Sequence, residues 1–136
     1  MQVNRYLTDK QMDHIDHALG RPINPLAETY RNRFTVEPDS DEAAAFRASP
    51  NWSEGRTFGG MTTFQVTTDG RHALRDHLRA IRDPHRAFDI TFEGFTETVI
   101  AKTRSEAKYD HWLRISDCDP DLTFGDYLRN ARVRAA

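Results

Sequence analysis

The sequence predicts an α+β fold: a small mixed domain in which helices and antiparallel strands share one core. Three observations carry this prediction. Capped helical stripes recur along the chain, two stretches alternate with period two beside glycine turns, and the length is that of a single ordinary domain. The chain has 136 residues, 38% of them hydrophobic and 10% aromatic, which suffices for a compact core. A division falls near "RDPHR", giving residues 1–83 and residues 84–136, the second a β-hairpin followed by two helices. Each part is near the lower size limit for folding alone, so one shared core is expected.

The elements follow in order. "LTDKQMDHIDHALGRP" reads as a short helix, with Thr8 and Gln11 as a capping box and Met12, Ile15 and Leu19 as its apolar stripe. Gly20 and Pro22 end it. "TYRNRFTV" is β-prone and predicts a brief strand. Asp39 and Glu42 have capping-box spacing ahead of Ala43–Ala45, predicting a second helix that Pro50 stops. "SEGRTFGGM" predicts a flexible turn or hairpin tip. In "MTTFQVTT", Thr62, Phe64 and Val66 share one side and Thr63, Gln65 and Thr67 the other, as in a half-buried strand. Thr68 or Asp69 then caps a helix that Pro84 closes.

In the second part, "AFDITFEGFTETVIAKT" predicts a hairpin turning at Glu93-Gly94. Phe88, Ile90 and Phe92 alternate on its first arm, and Phe95, Val99 and Ala101 partly do so on its second. Thr103 and Glu106 form another capping box, before a helix presenting Ala107, Trp112, Leu113 and Ile115. Thr123 caps a final helix with Phe124, Tyr127 and Leu128 inward, and "RNARVRAA" reads as a loosely ordered end.

Charge excludes a global pull on nucleic acid. Residues 1–68 carry 7 Lys/Arg and 9 Asp/Glu, and residues 69–136 carry 12 of each, so any phosphate contact needs a local patch. The single cysteine, Cys118, permits no intrachain disulfide and fits a reducing compartment. No apolar leader or membrane-length run is present, so a location in the host-cell cytoplasm and no membrane partner are expected.

"MTTFQVTTDGRHALRDHL" resembles the end of a winged-helix domain. Val66, Thr67 and Gly70 take the places between wing strand and following helix, and "EGRTFGGM" would be the wing's tip. The resemblance covers about residues 39–80 and makes residues 1–83 a winged-helix-like part. It implies two upstream helices, one reading the major groove. The upstream sequence offers one clear helix, led by Asp39, Asp41 and Glu42, which phosphates would repel. More broadly, "YRNRF", "GGMTTFQVTTDGR", "AKTRSEAKY" and "LTFGDYLRNARVR" together resemble small accessory proteins of bacteriophages and prophages. That likeness spans most of the chain and brings no catalytic residue with it.

Motifs of catalysis and cofactor binding are missing from the sequence. There is no G-x-S-x-G elbow, phosphate loop, dinucleotide fingerprint, H-E-x-x-H or paired C-x-x-C, and no cofactor or metal is expected. Asp13/His17 and His72/Asp76 have i,i+4 spacing that can hold zinc, but a helix-surface charge pair explains each more simply. The function expected is non-catalytic macromolecular binding.

The candidate binding residues are eight, on three segments. Arg71, Arg75, Arg79 and Arg82 fall within roughly an 80° arc of one helix, beside the Leu74/Leu78/Ile81 stripe. They form either a cationic strip for phosphates or an acidic protein face, or snorkelling side chains at the rim of the core. Arg129, Arg132 and Arg134 would extend the strip if they lie beside it. Phe58 sits at the glycine-rich tip, where an aromatic side chain either folds back onto its own strand or stays exposed to enter a partner's pocket or slip between bases. Three targets stay open: nucleic acid or a nucleic-acid complex; a host protein complex, as for an anti-defence inhibitor of the anti-CRISPR type; and a virion or assembly partner. Oligomeric state is not legible in the sequence.

Overall fold

A computed structural model describes residues 5–136, which divide after Asp83 into two compact units. Each unit is α+β and each holds its own cluster of buried apolar residues. The shared core expected from chain length is therefore replaced by two small ones. The alternating strands and amphipathic helices of each part close on themselves within about one sheet's width.

The first unit runs α1 (Lys10–Ala18), β1 (Phe34–Val36), α2 (Asp41–Arg47), β2 (Trp52–Phe58), β3 (Met61–Val66) and α3 (Thr68–Ala80). Its antiparallel sheet has the order β1-β3-β2. Thr62, Phe64 and Val66 face the core as their alternation predicts. Asn32 lengthens the β1 edge with its side chain: its amide donates to the Val66 carbonyl at 2.9 Å and accepts from the Val66 N–H at 2.7 Å. One helix, α2, lies between β1 and β2. The aromatic core is centred on Phe46, stacked on Trp52 with ring centroids 4.1 Å apart and edge-on to Phe34 and Phe64.

Three helix starts differ by a residue or so from the spacing-based expectation. Asp9, not Thr8, caps α1; Ser40, not Asp39, caps α2; and Thr67, not Thr68 or Asp69, caps α3. In each case the residue with extended backbone dihedrals is the one whose side-chain oxygen reaches the N–H three positions on. At the far end of α3, Arg82 takes a left-handed φ of 55°, so the helix stops before Pro84 is reached.

The second unit runs β4 (Arg86–Phe92), β5 (Phe95–Ala101), α4 (Arg104–Ser116), α5 (Phe124–Asn130) and β6 (Arg132–Ala135). Its sheet order is β5-β4-β6. Glu93 and Gly94 both have positive φ, 51° and 83°, as a two-residue hairpin turn requires. Phe88, Ile90, Phe92 and Val99 face the two helices, and Tyr127 is fully buried against them. Thr103 and Thr123 cap α4 and α5 as predicted.

Three side chains expected inward and one segment expected loose are placed otherwise. Phe95 is 81% exposed, and Leu113 and Leu128 are exposed on their helices. Phe95 is at the hairpin tip, beside the turn, while Val99, Ile100 and Ala101 are all buried at the other end of β5. The C-terminal "RVRA" is a strand, not a loose end: β6 pairs with β4, setting Val133 opposite Ile90. Val133 packs on the core while Arg132 and Arg134 share the outer side.

Candidate binding surface

The hairpin β2–β3 projects Phe58 into solvent. From Ser53 to Phe58 every residue of β2 is exposed, and Phe58 itself is 87% exposed. Gly59 and Gly60 supply the positive φ values, 60° and 79°, that reverse the chain. The pairing loses register between Glu54 and Thr57, which is a β-bulge around Gly55 and Arg56. A bulge twists an edge strand and discourages strand-to-strand aggregation. The base of the arm is held by Arg47, which grips Glu54 at 2.8 Å and the Pro38 carbonyl at 2.9 Å.

The four arginines of α3 do not act alike. Arg71 is built into the unit: its guanidinium donates to the carbonyls of Pro25 and Ala27 at 2.9 and 3.0 Å and to the Thr29 hydroxyl at 3.2 Å. It stitches the proline-rich connector to α3. Arg75 lies against its neighbour Asp76 at 3.0 Å. Arg79 and Arg82 are exposed and make no ion pair among the described residues. The cationic strip thus shortens from four members to the C-terminal end of α3. Arg129, Arg132 and Arg134 belong to the second unit, where Arg129 pairs with Asp126 and Arg134 lies 3.9 Å from Asp89.

Two buried polar networks escaped the sequence reading. In the first, Asp16 is fully buried between two arginines. Arg5 grips it bidentately at 2.6 and 3.0 Å and also reaches the Pro22 carbonyl (2.8 Å) and Asp83 (3.0 Å). Arg21 donates to Asp16 at 3.1 Å and to Asp13 at 2.7 Å, and lies over the Tyr6 ring. Asp13 is therefore an arginine partner and a cap for the Leu7 N–H, not half of a zinc pair with His17. Burial opposes its ionisation, but Arg21 and the Leu7 N–H outweigh this and hold its carboxyl below the usual range. Among the described residues, no group of three or more His, Cys, Asp or Glu is placed to hold a metal ion.

In the second network, His111 is buried with both ring nitrogens engaged. Nδ1 lies 2.7 Å from the Tyr127 hydroxyl and Nε2 lies 3.2 Å from Glu97, which Arg114 holds at 2.8 Å. A carboxylate can only accept, so Nε2–H donates to Glu97 and the Tyr127 hydroxyl donates to Nδ1. Neither nitrogen keeps a lone pair for a substrate. Burial, with Arg114 beside it, lowers the His111 pKa despite Glu97, and burial pushes Tyr127 up to about 12.

The same direction holds for His14 and His17, both lowered chiefly by burial. The unfolded chain takes up these protons near the ordinary histidine value of about 6.5, while the folded chain resists until lower pH. Stability is therefore fully present above about pH 6.5 and falls as the pH drops through the folded values. Tyr127 acts at the other end, with stability falling as the pH rises from about 10 towards 12. Urea midpoints across pH 5–8 check the acid limb. A His111→Gln variant is expected to flatten it, and an unchanged slope would refute the assignment to His111.

A third feature, also not predicted, is an open groove of about 490 Å³ between α1 and α2. Its floor is Ile15, Phe46 and Trp52, and its lips carry Lys10, His14, Asp41 and Glu42. Among the described residues, no helix is long and apolar enough to cross a membrane. No family model, curated protein or solved structure matches the chain.

Proposed function

We propose that this chain is a non-catalytic binding protein, of the phage or prophage accessory kind it resembles, whose target is a protein surface. The single observation that carries this reading is Phe58, 87% exposed at the tip of a hairpin with an exposed outer strand. A phenylalanine held in water gains about 2 kcal/mol when a partner covers it. It sits on a two-stranded arm whose base is pinned by Arg47 and Glu54, so little ordering cost opposes docking.

Charge favours a protein over nucleic acid as the target. Residues 1–83 hold 11 Lys/Arg and 12 Asp/Glu, and residues 84–136 hold 8 and 9, so neither unit is basic. Arg71 is consumed internally, and α2 opens with Asp41 and Glu42 where a reading helix would meet phosphates. In a winged-helix reading, β2–β3 would be the wing, used here as an arm for a partner. Action as an inhibitor of a host complex, the anti-CRISPR type included, is the biological role that fits such an arm.

The test is a pull-down from nuclease-treated host lysate with the wild-type chain and a Phe58→Ser variant. The expected result is a protein retained by the wild type and lost with Phe58→Ser, whose urea midpoint stays unchanged because the ring touches no core. Retention of the same partner by Phe58→Ser would refute the role of the hairpin. Tight, salt-sensitive binding of purified duplex DNA that is lost in Arg79→Ala/Arg82→Ala would replace the reading with a nucleic-acid one.

A further inference from the structure

The groove between α1 and α2 has the make-up of a binding site. Its volume of about 490 Å³ is within the range of small-ligand sites, and it combines an apolar floor with a few polar groups at its lips. On the α1 side are Lys10, Gln11 and His14; on the α2 side are Asp41, Glu42 and Ala45. Opposite charges therefore line the two sides, yet Lys10 makes no ion pair with either carboxylate. His14 stands against the rings of Phe34 and Phe46, 5.0 and 5.7 Å between centroids, and its nitrogens have no hydrogen-bond partner among the described residues. Burial keeps it neutral near pH 7, so the groove carries the charges of Lys10, Asp41 and Glu42 alone, one excess negative charge.

Asp41 and Glu42 have a structural use, since carboxylates in a first helical turn offset the helix dipole. That use does not account for the cavity, for the unpaired lysine facing them, or for the ring-lined floor. Lys10 is itself in the first turn of α1, where a cation is disfavoured. A guest that presents a cation to one lip and an acceptor to the other satisfies all of these at once.

We infer that the groove seats a basic side chain of the protein partner, an arginine or lysine within a peptide segment. The charged head meets Asp41 and Glu42, the aliphatic stem lies on Ile15, Phe46 and Trp52, and peptide carbonyls accept from Lys10 and Gln11. This rests on the reading of the chain as a protein-binding module and names the chemistry of its target. Trp52 begins β2 and Phe58 ends it, so the groove lies at the foot of the arm, about 20 Å along the strand from its tip. A partner gripping Phe58 can reach both.

The experiment needs only the purified full chain and three short capped peptides of alanine and glycine around a central arginine, norleucine or glutamate, followed by amide NMR. The expected result is that the arginine peptide shifts amides of residues 10–15 and 41–52, with the norleucine and glutamate peptides at least fivefold weaker. The Asp41→Asn/Glu42→Gln variant, its own spectrum confirming the fold, is expected to lose about tenfold in affinity for the arginine peptide. No shift at millimolar arginine peptide, equal response to the glutamate peptide, or full affinity in the double variant would each overturn the inference. Benzamidine is the fourth arm: binding of benzamidine without the arginine peptide would assign the groove to a free organic cation instead. Since Phe58 is not involved, Phe58→Ser is expected to bind the peptide normally, so failure of the hairpin reading and failure of the groove are read separately.

Discussion

Replacing Asp16 with alanine is expected to cost the first unit about 3–5 kcal/mol, the scale of breaking a buried ion pair from one side. Asp16 has no exposed surface and accepts three hydrogen bonds, two from Arg5 and one from Arg21. Without it, two buried guanidinium groups face each other with only their outer partners, Asp83 for Arg5 and Asp13 for Arg21. The loss is not confined to charge. Arg5 joins the start of the described chain to α1, to the Pro22 carbonyl and to Asp83, 78 positions away. Asp16→Asn keeps the shape and two acceptor lone pairs but removes the charge, and is expected to fall between the wild type and alanine. Urea unfolding at pH 7 measures both. A loss below about 1 kcal/mol for Asp16→Ala would show that water enters and solvates the arginines, contrary to their burial.

Gly70→Ala is expected to destabilise by about 2–3 kcal/mol, although alanine is the better helix former by up to about 1 kcal/mol. Gly70 is in the first turn of α3, with ordinary helical dihedrals, so conformational freedom is not what requires it. A β-carbon there would lie 2.5 Å from the Asn51 carbonyl oxygen and 2.6 Å from Val66 Cγ1. The oxygen is backbone and already accepts from Thr67 N–H at 2.9 Å, so it cannot retreat without breaking the β3–α3 corner. Denaturation of Gly70→Ala against Gly125→Ala provides the check. Gly125 is also near the start of a helix but has open space around it, and alanine there is expected to be neutral or stabilising. Equal behaviour of the two variants would remove the steric explanation.

The candidate site is only partly legible in the sequence. The arginines of α3 are three and four residues apart, and their common face follows from helix geometry alone. Which of them is free does not. Arg71 is spent on carbonyls 44 and 46 positions earlier, in a proline-rich connector that carries no periodic signal. Phe58 stands out because glycines follow it and its spacing matches no buried stripe, but its exposure is decided only by the structure, since the ring could equally fold back onto its own strand. Phe95 fits the alternation of its arm yet is exposed, because alternation reports the face a residue is on and not how far along the strand that face is covered. The groove was invisible, because its two sides come from segments some thirty residues apart that are each ordinary amphipathic helices.

The sequence by itself determined the local elements and their class. The Glu93-Gly94 turn, the Thr103 and Thr123 caps, and the alternation of Thr62/Phe64/Val66 and Phe88/Ile90/Phe92 are interactions among residues a few positions apart. Their physics is complete within a short window: left-handed dihedrals, orphan N–H groups, and the two faces of a strand. Only the tertiary structure decided that the apolar residues close into two cores, that β6 pairs with β4, that Arg5, Asp16 and Arg21 are buried together, and that His111 is tied to Tyr127. Those outcomes depend on which distant groups share a desolvated space. A charged or titratable side chain is the same residue in the sequence whether water or a buried partner satisfies it, and only its burial makes it structural.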